Sequence, residues 1–539
     1  MPLRFLARSL RPVALALALG PAVLSAILPP PALAETVAPA FRQAVAEAAA
    51  DDAAVADFYR GRDYAPVWTV PAGVDRLRAL LAVLERAGDH GLPVARYDAA
   101  ALAGAVRGMA SERDRGRVEV RLTRALLDYA RDIQTGALVP ARIDPGIVRE
   151  VPVRDRATLL ADFLAADPAE FLRALPPQSQ EYARLMRAKR MLEQAAASGA
   201  WGPAVPGAGL QPGQTGAAVL ALRNRLMAMG YLPRSAAASY DAALTRAVAA
   251  FQSAHGITPD GVADAATLAE INRPPEDRLK SVLVAMERER WSNIPRGDRH
   301  IWVNLTDFTA KIVDHGKVTF ETRAVIGSAI ADKRTPEFSH RMTYMEVNPD
   351  WTVPRGIIRR DYLPKLQANP GALGHLQVID SRGRVVPRGQ VNFARYTAAN
   401  FPFSLRQPPG QGNALGQVKF MFPNPWSIYL HDTPDKHLFG REVRAYSSGC
   451  VRLGDPFEFA YALLARQEAD PRAAFDAVLA SGRQTRLFLD EPVPIHIDYR
   501  TAFTTPRGAL EFRRDIYGRD AAIFAALEQA GVVLGAPQG

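Results

Sequence analysis

The chain has 539 residues, of which 48% are hydrophobic and 23% are charged, and its formal net charge at pH 7 is +10. These fractions are typical of a soluble globular protein, and the length allows about two to four domains. Cys450 is the only cysteine, which excludes a disulfide bond within the chain.

Residues 1–34 predict a cleavable secretory signal. A basic start is followed by an apolar run from Val13 to Leu28 and by small residues at Ala32–Ala34. The alternative is an uncleaved anchor, which is disfavoured because Gly20–Pro21 interrupts the run. We therefore expect export to the periplasm, with no membrane span after cleavage. Export makes nucleic acid a poor partner for this basic chain, and a wall polymer that carries carboxylates fits the charge better.

Residues 36–200 predict a helical scaffold domain. Apolar side chains recur at helical spacing in two stripes, Leu77–Leu84 and Leu122–Ile133. Such stripes form the core of a helical domain, and we assign them no catalytic role.

Residues 207–273 predict a compact module of three short helices with a turn at Asp260–Gly261. The module has a leading glycine, Gly213, then Phe251-Gln252 near the end of the second helix, and Asp260-Gly261 before Thr267-Leu268. In these marks the module resembles the peptidoglycan-binding domains. Binding to wall polymer follows from the resemblance alone, since helical bundles have many functions.

A helix is predicted over 276–291, after which the pattern changes to strands. Ile301–Leu305 alternates, and the turn Asp314–Lys317 precedes a second alternating run, so a hairpin opens a β-rich domain over 298–490. One further strand, Ile495–Tyr499, and a closing helix near 521–530 are predicted in a C-terminal segment over 491–539. We expect this segment to pack on the scaffold or on the β-rich domain. The predicted fold class is therefore multidomain α+β.

The β-rich domain contains a long insertion, about residues 355–425, rich in proline, glycine and asparagine. An insertion of this length is usually a lid or a disordered loop. We predict a lid, with Trp351 and Trp426 as walls of a substrate cleft or, alternatively, as core residues.

The stretch Ser427–Leu453 contains the features that indicate chemistry. A short strand ending at His431 places Tyr429 and His431 on one face, and the chain then returns so that Cys450 approaches His431. In an oxidising compartment a lone thiol is a liability unless it is used. Arg452, two residues after the thiol, is available to a substrate carboxylate. The stretch therefore predicts a thiol nucleophile with a histidine partner.

This stretch resembles the active-site signature of the L,D-transpeptidases with a YkuD-like catalytic domain. The signature is a histidine, a spacer, Ser or Thr, usually a second histidine, glycine, the nucleophilic cysteine, an apolar residue, and Arg or Asn. The matching residues are His431, Ser447, Gly449, Cys450, Val451 and Arg452. Ser448 replaces the second histidine, a departure shared by the large multidomain subgroup that has a helical scaffold and a peptidoglycan-binding module. His437 is expected to be a solvated loop residue.

The resemblance implies a role for each site residue. Cys450 is the nucleophile, His431 the general base and acid, and the backbone N–H of Gly449 an oxyanion donor. The candidate substrate-binding residues are Arg452, Tyr429, Ser447, Ser448 and Trp426. The group that orients the imidazole is left open between a backbone carbonyl and the Asp432 side chain. Neither a metal nor a cofactor is predicted.

The implied reaction acylates the thiol with a peptidoglycan tetrapeptide stem, releases the terminal D-Ala and forms a 3→3 crosslink to the side-chain amine of a diamino acid. The expected partners are peptidoglycan stem peptides, with other cell-wall enzymes as candidates. Two alternatives remain. One is a cell-wall peptide hydrolase or carboxypeptidase that uses the same thiol, although the histidine lies upstream of the cysteine, unlike a papain-like order. The other is a non-catalytic wall-binding scaffold.

Overall fold

The computed structural model describes residues 37–505 and 507–535, so the predicted signal lies outside the described residues. Helices fill the first half of the described chain and strands dominate after residue 298, which confirms the α+β fold class. Among the described residues, no helix combines the length and the apolar character needed to cross a membrane.

Most of the scaffold helices pack around one apolar core that runs from Phe41 to Leu175, whereas the buried residues of the last helix, Gln180–Ser198, belong to a second core. Side-chain caps set several helix starts; the Ser111 hydroxyl, for example, accepts a hydrogen bond from the Asp114 amide at 3.2 Å. The helices are α1 (Pro39–Ala49), α2 (Ala53–Arg60), α3 (Val74–Glu85), α4 (Val94–Tyr97), α5 (Ala99–Arg107), α6 (Glu112–Thr135), α7 (Pro140–Ile143), α8 (Arg156–Ala165), α9 (Pro168–Ala174) and α10 (Gln180–Ser198).

The predicted three-helix module consists of α11 (Ala217–Ala228), α12 (Ala242–Ala254) and α13 (Ala265–Ile271), with its own small core. Its signature residues stabilise the fold. The Gln252 amide accepts a hydrogen bond from the Gly261 N–H at 2.8 Å and donates one to the Asp260 carboxylate at 2.8 Å, which fixes the turn. Gly261 has a φ of 72°, and a Cβ there would lie 2.9 Å from the Thr245 carbonyl.

Helix α14 (Pro275–Trp291), predicted only as a single helix after the module, is a central element of the molecule. It is buried along most of its length and shares a core with α10, with the hairpin β14 (Ala502–Thr504) and β15 (Leu510–Phe512), and with α19 (Arg519–Gln529). A fully buried ion pair, Arg290–Glu287 at 2.6 Å, lies on α14. The C-terminal segment therefore packs on α14 and α10, between the scaffold and the β-rich domain.

The β-rich domain has a nine-stranded sheet in the order β11-β3-β12-β10-β9-β4-β13-β1-β2. Strand β2 also pairs with β3. This pairing closes the sheet into a ring that contains every strand except β11. The strands are β1 (Arg299–Asn304), β2 (Thr309–Asp314), β3 (Lys317–Gly327), β4 (Phe338–Val347), β9 (Val418–Met421), β10 (Leu430–His431), β11 (Ala445–Ser447), β12 (Val451–Leu453) and β13 (Thr485–Asp498). Helices α17 (Pro456–Leu464) and α18 (Pro471–Ala480) pack on this sheet.

The turn between β2 and β3 lies where it was predicted, with positive φ at His315 and Gly316. Strand β2, which pairs with both β1 and β3, was not identified in the sequence. The predicted domain boundary at residue 490 falls inside β13, which continues to Asp498 through the middle of the sheet, so residues 491–498 belong to the same sheet as the β-rich domain. The strand expected over 427–431 is reduced to Leu430–His431.

The insertion is a folded subdomain. A four-stranded sheet, in the order β5-β8-β6-β7, packs with short helices around a separate apolar core. Its elements are β5 (Trp351–Thr352), α15 (Arg355–Ile357), α16 (Leu363–Ala368), β6 (Gln377–Ile379), β7 (Val385–Val386) and β8 (Ser404–Gln407). The predicted end of the insertion at 425 is wrong, because Val418–Met421 is strand β9 of the main sheet. A lid function remains a prediction.

Candidate active site

The candidate site is built on two adjacent parallel strands, β10 and β12. Leu430 is the partner of Val451 and His431 is the partner of Arg452, and the Val451 amide donates to the Tyr429 carbonyl at 3.1 Å. Directly paired residues of neighbouring strands share a face. Tyr429, His431 and Arg452 therefore lie on one face together with Cys450, which precedes β12, and the predicted grouping of these residues is present.

The turn that carries the thiol is held by hydrogen bonds from its own residues. The Ser447 hydroxyl donates to the Cys450 carbonyl at 2.5 Å and accepts from the Gly449 amide at 3.1 Å. The Thr335 hydroxyl donates to the Gly449 carbonyl at 2.6 Å. Gly449 has a φ of 125°, a region that disfavours side chains, and a Cβ there would lie 3.2 Å from the Ile428 side chain.

These contacts correct two predictions about the turn. The Gly449 amide is already bonded to Ser447, which argues against Gly449 as the oxyanion donor. Ser447 is buried and uses its hydroxyl inside the turn, so it is not available as a substrate contact. Within the described residues, the Cys450 amide has no hydrogen-bond partner, so its N–H is free to donate to another group.

The thiol lies in a densely packed environment that favours its neutral form. Cys450 is half-buried, and its Sγ is 3.6 Å from the Ser427 carbonyl oxygen. Burial raises the pKa of the Cys450 thiol to about 11, although hydrogen bonds from Tyr429 and the charges of Arg452 and Lys419 act to lower it. This shift favours the protonated thiol at neutral pH.

The imidazole of His431 is oriented by the backbone. Its Nδ1 lies 2.5 Å from the Asp432 carbonyl oxygen, whereas the Asp432 carboxylate accepts from the Gln417 amide at 2.9 Å and from Lys436 at 2.7 Å. The alternative left open by the sequence is thus resolved in favour of a carbonyl. A hydrogen on Nδ1 leaves the lone pair on Nε2, the nitrogen that can accept a proton.

Burial, followed by the charge of Arg452, lowers the pKa of His431 to about 3, and hydrogen bonds to the Asp432 and Leu415 carbonyls oppose this shift. Within the described residues no hydrogen bond joins His431 to Cys450. Burial therefore favours the neutral forms of both groups over a thiolate–imidazolium pair.

Two cations flank His431 on this face. Arg452 donates from Nη1 to the Asp435 carboxylate at 2.8 Å, and Lys419 is the cross-strand partner of His431 on β9. Lys419 pairs with the buried carboxylate of Glu346. The sequence interpretation missed Lys419, although the burial of Val418 and Phe420 on the opposite face could have identified it.

The remaining predicted residues lie at the edge of the site or outside it. Ser448 is exposed, and Trp426 is 40% exposed and packs against Phe338 with ring centroids 4.7 Å apart. Trp351 is buried in the core of the insertion, which favours the core alternative for this residue. His437 is exposed on the turn Lys436–Gly440, as expected for a solvated residue.

Three family models match separate parts of the chain. Residues 298–486 match the model described as L,D-transpeptidase catalytic domain (YkuD), and residues 53–188 match the one described as Scaffold domain. Residues 215–271 match the model described as "Putative peptidoglycan binding domain". The recognised resemblance is therefore confirmed at the level of domains.

A curated protein of Haemophilus influenzae, named "Putative L,D-transpeptidase", is 33% identical over 239 residues, which are 44% of this chain and 48% of the relative. The chain thus matches about half the length of that relative. A crystal structure of an L,D-transpeptidase from Xylanimonas cellulosilytica is 16% identical over 54% of this chain and 98% of its own, with a TM-score of 0.17. The crystal structure of a fused Zn-dependent amidase/peptidase/peptidoglycan-binding domain-containing protein from Clostridium acetobutylicum is 12% identical over 54% of this chain and 99% of its own, with a TM-score of 0.15.

Proposed function

We propose that this chain, which carries an L,D-transpeptidase catalytic domain together with a scaffold and a peptidoglycan-binding domain, is an exported cysteine L,D-transpeptidase that forms 3→3 crosslinks in the periplasm. The observation that carries the proposal is the common face of β10 and β12, which holds a thiol, an oriented neutral imidazole and a guanidinium group inside the matched catalytic domain. Acyl transfer to a thiol needs a nucleophile, a base and a group that binds the anionic acyl donor, all close together. This face supplies all three.

In the first half-reaction, Sγ of Cys450 attacks the carbonyl carbon that joins the diamino acid of a tetrapeptide stem to its terminal D-Ala. Nε2 of His431 takes the thiol proton as the S–C bond forms, because neither group is ionised beforehand. The C–N bond then breaks, His431 returns the proton to the leaving D-Ala amine, and a thioester remains on Cys450.

In the second half-reaction, the side-chain amine of a diamino acid on another stem attacks the thioester. His431 takes a proton from this amine, the C–S bond breaks, and the proton returns to sulfur. The Cys450 amide would stabilise the oxyanion in both steps. Arg452 would bind a stem carboxylate through the N–H groups that Asp435 leaves free.

The test is mass analysis of the products from a defined stem tetrapeptide, with the Cys450→Ala variant as control. A crosslinked dimer that has lost one D-Ala is the expected product. A free tripeptide as the only product would replace transpeptidation with hydrolysis by the same thiol. Unchanged tetrapeptide with folded enzyme would contradict the proposal.

A further inference from the structure

A cleft of about 1090 Å³ lies where the module, the scaffold, the β-rich domain and the C-terminal hairpin meet. We name it the junction cleft. One wall is the module loop Gly256–Pro259, a second is Gly440–Arg444, and a third is the N-terminal part of α10. None of the four residues grouped on the β10 and β12 face lines it.

The acidic side chains of the junction cleft are already neutralised. Each has a basic partner within 4.0 Å: Asp307 and Glu511 with Arg513, Glu442 with Arg514, Glu289 with Arg500, Glu181 with Arg184, and Glu321 with Lys311. The net positive charge of the cleft therefore comes from the arginines that have no acidic partner.

Three such arginines lie together in the cleft: Arg323, Arg441 and Arg444. Within the described residues, no carboxylate lies within 4.0 Å of any of these guanidinium groups. Arg444 is held by backbone carbonyls, at 3.0 Å from Arg441 and 3.1 Å from Phe308, and Arg323 donates to the Phe439 carbonyl at 3.2 Å. Burial, followed by the neighbouring charge of Arg323, lowers the pKa of Arg444 to about 10.

Guanidinium groups that repel one another and lack acids form a site for an anion, with carboxylate as a preferred partner. The cleft is at the upper end of the usual size for a small-molecule pocket, which suits a segment of a polymer. One wall comes from the matched peptidoglycan-binding domain, whose signature residues Gln252, Asp260 and Gly261 are engaged with one another. These three signature residues stabilise the fold of the module, so contacts with a ligand are expected from other residues.

We propose that the junction cleft is a second, non-catalytic binding site for peptidoglycan, in which Arg323 and Arg441 bind the carboxylates of stem peptides on an uncrosslinked glycan strand, while Arg444, whose N–H groups are held by backbone carbonyls, adds positive charge. The inference rests on the proposed function in taking the wall polymer as the substrate. The segment 435–444 connects the two sites, since Asp435 binds Arg452 and Gly440–Arg444 line the cleft.

The test measures binding of soluble, uncrosslinked glycan strands that carry stem peptides, with the Cys450→Ala full chain as the parent. Arg323→Gln with Arg441→Gln should weaken binding about tenfold or more and reduce its salt dependence, since charged hydrogen bonds are lost. Arg107→Gln with Arg173→Gln is the matched control, because it removes the same charge from exposed scaffold residues and should change affinity less than about twofold. Arg441→Glu alone, at an exposed position, provides a second variant that should fold normally.

Strands whose stem carboxylates have been converted to amides should bind the parent as weakly as unmodified strands bind the double variant. Unchanged affinity in both the Arg323→Gln/Arg441→Gln variant and the Arg441→Glu variant would overturn the junction cleft as the binding site. An equal loss of affinity in the scaffold control variant would also overturn it. Acylation of Cys450 in the otherwise unaltered chain is measured separately. Failure of that acylation contradicts the proposed function, whereas failure of the binding series contradicts only the second site.

Discussion

The two ends of the segment 435–444 lie in contrasting electrostatic environments. At its start, Asp435 contacts Arg452 on the face that holds Cys450 and His431, where burial favours the neutral forms of both thiol and imidazole. At its end, Arg441 and Arg444 line the junction cleft, and neither has a carboxylate partner in the described part of the chain. The first environment suits proton transfer during bond formation, whereas the second suits retention of an anionic chain. The two proposals together predict that chemistry and wall binding can be altered separately.

The largest effect should come from the thiol. Cys450→Ala should abolish turnover of stem peptides, because the chain has no other cysteine. The free energy of unfolding should change by only about 1 kcal/mol, since one small half-buried side chain is shortened. Product formation and thermal unfolding of the same preparation check this. Residual crosslinking by the alanine variant would remove the thiol from the mechanism.

The next effect separates the two histidines. His431→Ala should lower the acylation rate about 10²–10⁴-fold through loss of the general base. His437→Ala, in an exposed turn, should change it little and is the matched control. Stopped-flow measurement of acylation by a defined stem gives both values. A reversal of the two effects would show that the base was assigned to the wrong residue.

The pH dependence of thiol alkylation tests the neutral resting state. With a pKa of about 11, only about one thiol in ten thousand is ionised at pH 7, so the alkylation rate should rise about tenfold per pH unit from pH 7 to pH 10. The alkylation rate of Cys450 can be measured with a small alkylating reagent and mass detection of the modified protein. A rate that levels off below pH 8 would mean that a thiolate–imidazolium pair forms at rest.

A smaller effect is expected at Arg452. Arg452→Lys keeps the charge but loses the bidentate geometry, so stem-peptide turnover should fall by the equivalent of about 1.5–3 kcal/mol. Alkylation of Cys450 by a small reagent should barely change. Equal losses in both assays would mean that Arg452 acts on the thiol rather than on the substrate.

The smallest effect on chemistry should follow removal of residues 207–273. The truncated protein should bind wall sacculi more weakly, since it lacks one wall of the junction cleft, but a carbapenem should still acylate Cys450. Circular dichroism would establish that the truncated protein is folded. Loss of acylation in a folded truncation would show that the module helps to build the thiol site.

Much of the site was predictable because its information is local. Alternation in 418–431 places Tyr429 and His431 on one face, and the signature order selects Cys450, Gly449 and Arg452. The parallel pairing of β10 with β12 is a tertiary feature that no local pattern contains. The occupied Gly449 amide and the choice of the Asp432 carbonyl over its carboxylate depend on that packing as well.

The fold departs from the sequence prediction where local signals compete with tertiary packing. Pro492 and Pro494 indicate the end of a strand, yet β13 passes through them with a register irregularity between Phe488 and Val493. Helix α14 lies where a helix was predicted, but its charged residues form buried ion pairs such as Arg290–Glu287, which the sequence pattern did not indicate. A local pattern cannot distinguish a buried paired charge from an exposed one.

The central claim, that Cys450 is acylated by the stem peptide, is tested most directly by the intact mass of the protein after mixing with a stem tetrapeptide in the absence of an acceptor amine. The account predicts a mass gain equal to the tetrapeptide minus D-Ala, located on Cys450 by peptide mapping and absent from the Cys450→Ala variant. Release of D-Ala with no adduct at any time from milliseconds to minutes, or an adduct on another residue, would contradict it.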